Sequence, residues 1–288
     1  MHGRHSLSRG CGCLSVTAVV GIFGFEWYVY HIVCSPFWGG ALVFNLAFVL
    51  ALWSYLRTAL TDPGTNFSEE FEAWTLVNGE SMKDPELARP APVRNRRRYW
   101  SPGEATNCDI CMAPRPERAH HCSHCGVCVL RLDHHCPWVG NCIGWRNHKY
   151  FMLLNLWTCV SCVALLATMR SPTVLGAVGT FIMPIAAADG QTALPFLAAV
   201  FAMVFALVTA GLWIHVLCLA GSNLTSVEQY MPAKNPYNLP STLDNLRQLF
   251  GPFDIYILLP VTPSLQLDGT QFPTAGAEAP AGNYGSVS

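Results

Sequence analysis

Long apolar stretches alternate with polar segments along this chain of 288 residues. Four of the stretches have a length near the ~20 residues that a helix needs to cross the hydrocarbon layer of a bilayer. They cover about residues 14–34, 40–60, 151–170 and 194–220. The pattern therefore predicts an all-α multi-pass membrane protein with four transmembrane helices.

A further apolar segment, residues 171–188, is interrupted by Pro172, Gly176, Gly179 and Pro184. These residues break or weaken a helix, so the segment could extend the third helix, re-enter the membrane or pack against it. We interpret it as the connection between the third and fourth helices.

The composition supports a membrane protein, because 51% of the residues are hydrophobic and only 12% are charged. So few charges cannot coat a soluble protein of this size. The net charge of −1 and the absence of a basic recognition-helix pattern also argue against nucleic acid as a partner.

Lysine and arginine residues predict the orientation, because positive residues are retained on the cytosolic side of a membrane. They precede the first stretch, lie between the second and third, and follow the fourth, whereas Arg170 is the only basic residue near the other side. We expect both termini and the segment between the second and third helices to be cytosolic. The membrane itself would be an endomembrane (Golgi or ER) or the plasma membrane.

The segment from Cys108 to Cys142 contains seven cysteines and five histidines. A reducing cytosol disfavours disulfides, so the cysteines are expected to bind metal or act in catalysis. Close cysteine pairs such as Cys108-x-x-Cys111 bind zinc, because a short turn lets two thiolates share one tetrahedron. The spacing predicts a cytosolic cysteine-rich domain with two zinc sites.

Two tetrahedral sites need eight ligands, and the sequence leaves their composition open. Two sites of three cysteines and one histidine use six cysteines and leave one thiol free, whereas seven cysteines and one histidine leave none. The residues around Cys136 favour the first composition. Asp133, His134 and His135 precede Cys136 directly, and an imidazole held by a carboxylate can deprotonate a thiol.

The whole segment resembles the cysteine-rich domain of DHHC-type protein S-acyltransferases, the palmitoyltransferases. Residues 133–139, Asp-His-His-Cys-Pro-Trp-Val, carry the signature of that family. Further similar motifs are Pro116–Ser123, Asn141–Gly144, Asp62-Pro63-Gly64, Thr225-Ser226-Val227-Glu228, Asn235-Pro236-Tyr237 and Asp244–Gly251. The resemblance covers about residues 14–255.

The resemblance implies a ligand scheme in which two structural Zn²⁺ ions occupy interleaved sites. The first site consists of Cys108, Cys111, His121 and Cys128, and the second of Cys122, Cys125, His135 and Cys142. Cys136 is then the free nucleophile, His134 its general base, and Asp133 the residue that orients the base.

The same resemblance implies that palmitoyl-CoA is the acyl donor and that cysteines of membrane-associated proteins are the acceptors. The palmitoyl chain would lie among the transmembrane helices, with Cys136 at the cytosolic face of the bilayer. Arg115 and Arg118 are candidates for binding the CoA phosphates. A basic run at Arg94 and residues 96–98 is another candidate, or it could bind anionic lipid instead.

Alternative functions follow if Cys136 is structural or idle, in which case the domain is a zinc-dependent interaction module. A nucleic-acid-binding function is the weakest alternative.

No internal repeat is expected. The predicted organisation is an N-terminus (1–13), two transmembrane helices (14–60), a linker of mostly loop (61–107), the zinc domain (108–148), two transmembrane helices (149–220), a C-terminal segment (221–258) and a disordered tail (259–288).

Overall fold

The structure is a computed structural model that describes residues 9–33, 38–78, 100, 102–103, 105–169, 190–231 and 233–275. The segment 171–188 and the basic run at residues 94–98 lie outside the described residues. The helices are α1 (Arg9–Tyr28, continued by a π-helical turn Val29–Val33), α2 (Trp38–Leu60), α3 (Glu69–Asn78), α4 (His148–Thr168), α5 (Gly190–Gly221) and α6 (Thr242–Phe250). Short 3₁₀ turns cover Glu228–Tyr230 and Ile255–Leu258.

Three helices in the described part of the chain are long and apolar enough to cross a membrane. They are Trp38–Leu60, His148–Thr168 and the portion Leu194–Gly221 of α5. The predicted first transmembrane helix corresponds to α1, whose apolar portion Val16–Ile32 is shorter. The structure therefore contains three candidate membrane spans, and the fourth stays a prediction.

The helices form a bundle in which α4 packs against both α2 and α5. Phe44 and Leu165 are fully buried between them, whereas Leu46 and Leu207 point outward and are exposed. Gly40 allows α2 to approach α4 closely, because a Cβ atom there would lie 2.6 Å from the Cβ of Thr168. Small residues at such contacts are typical of membrane helix pairs.

The expected all-α architecture is corrected by three antiparallel β-hairpins in the zinc domain. Hairpin 1 pairs β1 (Thr106–Cys108) with β2 (Ala113–Arg115). Hairpin 2 pairs β3 (His120–Cys122) with β4 (Val127–Val129), and hairpin 3 pairs β5 (His134–Cys136) with β6 (Asn141–Ile143). These strands of three residues are too short to produce a hydrophobic alternation that a sequence pattern can detect.

The three hairpins form an internal repeat, which corrects the expectation that none exists. Their first strands begin at residues 106, 120 and 134 and their second strands at 113, 127 and 141, so the offset is 14 residues in each case. The turns repeat as well, because Met112, Gly126 and Gly140 all have positive φ angles of 51°, 69° and 63°. Each hairpin is one copy of the same small unit.

Hairpin 3 is attached to the end of α2, where helix carbonyls need hydrogen-bond donors. The side-chain amide of Asn141 donates to the backbone oxygens of Thr58, Ala59 and Thr61. The Asn147 amide donates to the Thr58 oxygen as well. These contacts place the strand that ends in Cys136 directly beside the end of a candidate membrane span.

The segment after α2 contains a helix where mostly loop was expected. Helix α3 starts with Glu69, Glu70 and Glu72, and negative side chains in a first turn are favourable for the helix dipole. Phe71 and Trp74 are buried and attach α3 to the rest of the protein.

The predicted disorder of residues 259–288 is wrong for residues 259–275, whereas residues 276–288 lie outside the described part. Thr270 and Phe272 are buried, and the Phe272 N–H donates to the Glu117 carboxylate at 2.6 Å. Low average hydrophobicity suggested disorder, but the segment also packs Leu265 and Leu267 against the core, and the Thr262 hydroxyl is hydrogen-bonded to Tyr150.

Candidate active site and metal centres

The first set of predicted metal ligands converges on one point. The ligand atoms of Cys108, Cys111, His121 and Cys128 all lie within 4.8 Å of one another. The sulfurs of Cys111 and Cys128 are 3.7 Å apart, and Nδ1 of His121 lies 3.7 Å from the Cys108 sulfur. A tetrahedral Zn²⁺ with bonds of about 2.3 Å holds its sulfurs about 3.8 Å apart. The donor set and its dimensions fit zinc.

The second set, Cys122, Cys125, His135 and Cys142, is equally compact. The sulfurs of Cys125 and Cys142 are 3.4 Å apart, and Nδ1 of His135 lies 3.4 Å and 3.6 Å from them. Three thiolates and one imidazole are a usual ligand set of structural zinc. This set also fits the metal.

Strand alternation explains why the two sites interleave along the chain. In hairpin 2, His121 and Cys128 are directly paired across the strands and both belong to the first site. Cys122 follows His121, and successive strand residues point to opposite faces. Cys122 therefore belongs to the second site, together with the His135 and Cys142 pair of hairpin 3.

Cys136 belongs to neither set. It ends the first strand of hairpin 3, at the position that Cys108 and Cys122 hold in the other two hairpins. In those hairpins a second cysteine follows three residues later, whereas in hairpin 3 this place holds Val139. Cys136 consequently has the placement of a metal-binding cysteine without the partner that would complete a site.

The same alternation places His134 beside Cys136, because both lie on the face of β5 that is opposite to His135. Nδ1 of His134 lies 2.6 Å from Oδ2 of Asp133, and the Cys136 thiol is a near neighbour of the imidazole. Burial lowers the pKa of His134, but the Asp133 hydrogen bond and the adjacent Cys136 outweigh it and raise the pKa to about 9. Asp133 thus holds the imidazole in place and strengthens it as a base.

Asp133 is itself held by a residue 93 positions later in the chain. Its Oδ1 accepts the backbone N–H of Ser226 at 2.7 Å, and its Oδ2 accepts the Ser226 hydroxyl at 2.9 Å. Burial would raise the pKa of Asp133, but the hydrogen bond to His134, the nearby His148 and the Ser226 N–H keep it well below its usual range. Ser226 was recognised only as part of a motif, and its contact with Asp133 was not predicted.

Arg118, a predicted ligand of the CoA phosphates, is buried inside the protein. Its side chain is 1% exposed, and it forms a two-bond ion pair with Glu228 at 2.7 Å and 2.8 Å. Two further N–H groups of the guanidinium donate to the side chain and backbone of Asn223. The guanidinium is therefore engaged inside the protein, which argues against a CoA-phosphate role.

Two buried residues near Arg118 were not identified from the sequence. Arg131 is 1% exposed and hydrogen-bonded to Nδ1 of His148 at 3.1 Å. Burial is the main reason that the pKa of Arg131 is lowered to about 9.

Arg115, the other predicted ligand of the CoA phosphates, is half-buried. Its side chain donates a hydrogen bond to the Thr106 hydroxyl and lines a small open pocket.

Comparison with known proteins shows the family to which this chain belongs. The sequence profile described as DHHC palmitoyltransferase matches residues 101–232. The chain is 32% identical to Palmitoyltransferase ZDHHC20-B of Danio rerio over 95% of this chain and 86% of that protein. It is 33% identical to Palmitoyltransferase ZDHHC20 of Homo sapiens over 81% of this chain and 66% of that protein. It is 30% identical to Probable protein S-acyltransferase 13 of Arabidopsis thaliana over 88% and 86%. The chain therefore belongs to the DHHC palmitoyltransferase family, and it is a protein S-acyltransferase.

Proposed function

We propose that Cys136 is the nucleophile that accepts a palmitoyl group from palmitoyl-CoA and passes it to cysteines of membrane-associated proteins. One observation carries this assignment: among the seven cysteines of the three hairpins, which we call the hairpin domain, Cys136 alone lies outside both metal-ligand sets. It shares one face of β5 with His134. A thiol next to a carboxylate-supported imidazole is the usual arrangement for covalent catalysis by cysteine.

The first half-reaction forms the acyl-enzyme. Asp133 accepts the Nδ1–H of His134, so Nε2 is the nitrogen that takes the Cys136 proton. The thiolate attacks the thioester carbonyl of palmitoyl-CoA and a C–S bond to Cys136 forms. The bond to the CoA sulfur then breaks, and His134 returns the proton to the departing CoA thiolate.

The second half-reaction repeats the chemistry in reverse. The thiol of a substrate protein gives its proton to His134 and attacks the acyl-Cys136 carbonyl. A new thioester forms on the substrate, and Cys136 leaves as a thiolate, which His134 reprotonates. No redox step or additional reactant is needed.

The position of Cys136 supports a reaction at the membrane surface. Cys136 is 7% exposed and belongs to an apolar cluster that includes Phe23, Tyr55 and Phe151 from α1, α2 and α4. A palmitoyl chain could extend from there between the helices, and each buried methylene would contribute about 0.8 kcal/mol of binding. We propose four transmembrane helices, with this site at the cytosolic face of an endomembrane or the plasma membrane.

We propose that both four-ligand sets hold Zn²⁺ with a structural role. Bound zinc would hold together hairpins that bury few apolar side chains of their own. The ligands would then fix the strand that presents His134 and Cys136. For the CoA phosphates, half-buried Arg115 remains the candidate among the described arginines of the hairpin domain.

The assignment is tested by labelling the purified protein with a clickable palmitoyl-CoA analogue and counting bound zinc. We expect hydroxylamine-sensitive label on the wild type, none on Cys136→Ser, and about two zinc ions per chain in both. Cys218→Ser is the matched control, because Cys218 is an exposed thiol on α5 outside the hairpins, and it should label like the wild type. Persistent label or lost zinc in Cys136→Ser would make Cys136 structural and favour an interaction module.

A further inference from the structure

The C-terminal tail returns to the hairpin domain through a short segment, residues 268–272, which we call the tail strap. Its turn is closed by Asp268, whose Oδ1 accepts the backbone N–H and the hydroxyl of Thr270. The backbone at Gly269 packs directly against Trp145, because a Cβ atom there would be only 2.4 Å from the indole ring. The strap ends in Phe272, which is 5% exposed. The strap is therefore closely packed against the protein, although the composition of the tail suggested disorder.

The backbone of the strap is held by Glu117, a buried carboxylate between hairpins 1 and 2. Glu117 is 5% exposed, and its Oε1 accepts the Phe272 N–H at 2.6 Å. Its other oxygen accepts the Tyr237 hydroxyl at 2.9 Å. One carboxylate therefore joins the hairpin domain, the segment after α5 and the tail strap.

The side chain of Phe272 contacts Arg118, the neighbour of Glu117. The guanidinium carbon of Arg118 lies 4.6 Å from the centroids of both the Phe272 and Tyr237 rings. The two rings stand 74° apart and form a corner around the guanidinium. A buried cation gains most from aromatic faces when water is excluded, as it is here.

Arg118 connects this corner to the residues that hold Asp133. Its ion pair fixes the carboxylate of Glu228, whose Oε2 also accepts the Thr225 N–H at 3.0 Å. The next residue, Ser226, makes two hydrogen bonds to Asp133. A continuous series of contacts thus runs from the tail strap to the support of the catalytic histidine.

We propose that the tail strap positions the Asp133–His134 pair for catalysis, and that Phe272 acts as a positioning residue through Arg118. The proposal rests on the proposed roles of Asp133 and His134. Phe272 touches neither the reacting thiol nor its base. Its effect should therefore appear in the rate of the chemical step and not in the binding of acyl-CoA.

The test replaces the aromatic ring while keeping an apolar side chain of similar size. Phe272→Leu in the full-length protein should lower the single-turnover rate of Cys136 acylation at saturating palmitoyl-CoA by about three- to tenfold. The half-saturating concentration of palmitoyl-CoA and the zinc content should not change. Phe253→Leu is the matched control, because Phe253 also faces an arginine, Arg247, but at the surface, and it should acylate like the wild type.

A second variant tests the route through Arg118. In an Arg118→Lys background, Phe272→Leu should reduce the rate no further, because the ring then has lost the group through which it acts. Unchanged acylation in Phe272→Leu would overturn the proposal, and so would a loss that adds fully to that of Arg118→Lys. If Phe272→Leu loses zinc, Phe272→Met repeats the test with a more adaptable side chain. A wild type without Cys136-dependent label would instead contradict the proposed function.

Discussion

Replacing Asp133 with asparagine tests how the structure prepares His134 for proton transfer. The carboxylate Oδ1 accepts the Ser226 N–H, whereas Oδ2 faces Nδ1 of His134 and the Ser226 hydroxyl. A backbone N–H can only donate, so the oxygen of asparagine must stay at the Oδ1 position and its NH₂ group must face His134. Nδ1 of His134 then accepts a hydrogen bond, and the proton of the neutral ring moves to Nε2. The imidazole can no longer take the Cys136 proton.

The expected loss is large, because a positioned general base typically contributes about 10²- to 10⁴-fold to a rate. The pH dependence should change too. Asp133 is the main group that raises the pKa of His134 to about 9, from an ordinary value of 6.5, against the lowering effect of burial. Without Asp133 the lowering effect prevails, so His134 stays neutral and the thiol keeps its proton at neutral pH. The remaining rate should increase as hydroxide replaces the missing base.

Rapid-quench, single-turnover acylation between pH about 6.5 and 9 measures both effects. Asp244→Asn is the control, because Asp244 pairs with Arg247 at the surface and is 47% exposed. It should acylate at the wild-type rate at every pH. An Asp133→Asn rate close to that of the wild type, with the same pH profile, would refute the role assigned to Asp133.

Two further predictions concern the buried ion pair and hairpin 3. Glu228→Gln leaves the Arg118 charge buried without a counterion, so the free energy of unfolding should fall by about 3–5 kcal/mol, whereas Asp244→Asn should cost less than about 1 kcal/mol in denaturant titrations in detergent. Val139→Cys completes a Cys-x-x-Cys turn with Cys136, so low zinc concentrations should inhibit acylation at least about tenfold more strongly than in the wild type. Equal zinc sensitivity of the two proteins would contradict the idea that Cys136 occupies a metal-ligand position.

The presence of two metal-ligand sets in the cysteine-rich segment was predictable, because the types and spacing of the residues indicate metal binding. The spacing alone predicted two metal sites, and only the resemblance assigned the individual ligands. Strand pairing supplies the reason for that assignment, since His135 faces Cys142 while His134 and Cys136 share the opposite face. Strands of three residues leave no pattern from which this pairing could be inferred.

Long-range partners were not predictable. Arg118 looked like a phosphate ligand because a sequence shows a charge but not a counterion 110 residues away. Phe272 was assigned to a disordered tail from the composition of the tail, and the sequence does not show its contact with Glu117, which lies 155 positions earlier. Helix α3 is different, since Glu69, Glu70 and Glu72 were a usable signal for a helix start.

The repeat explains how one small scaffold can contain two candidate metal sites and one further cysteine, the proposed nucleophile. Each metal centre combines the cysteine pair from the turn of one hairpin with the His–Cys pair across the strands of the next. A series of three hairpins therefore makes two sites and leaves the turn cysteine of the last hairpin without a following His–Cys pair. Cys136 is that residue, and Val139 removes the second thiol that could still bind a metal with it. The repeat thus gives the proposed nucleophile a defined position at the end of a strand, and the end of the series leaves its thiol outside both metal-ligand sets.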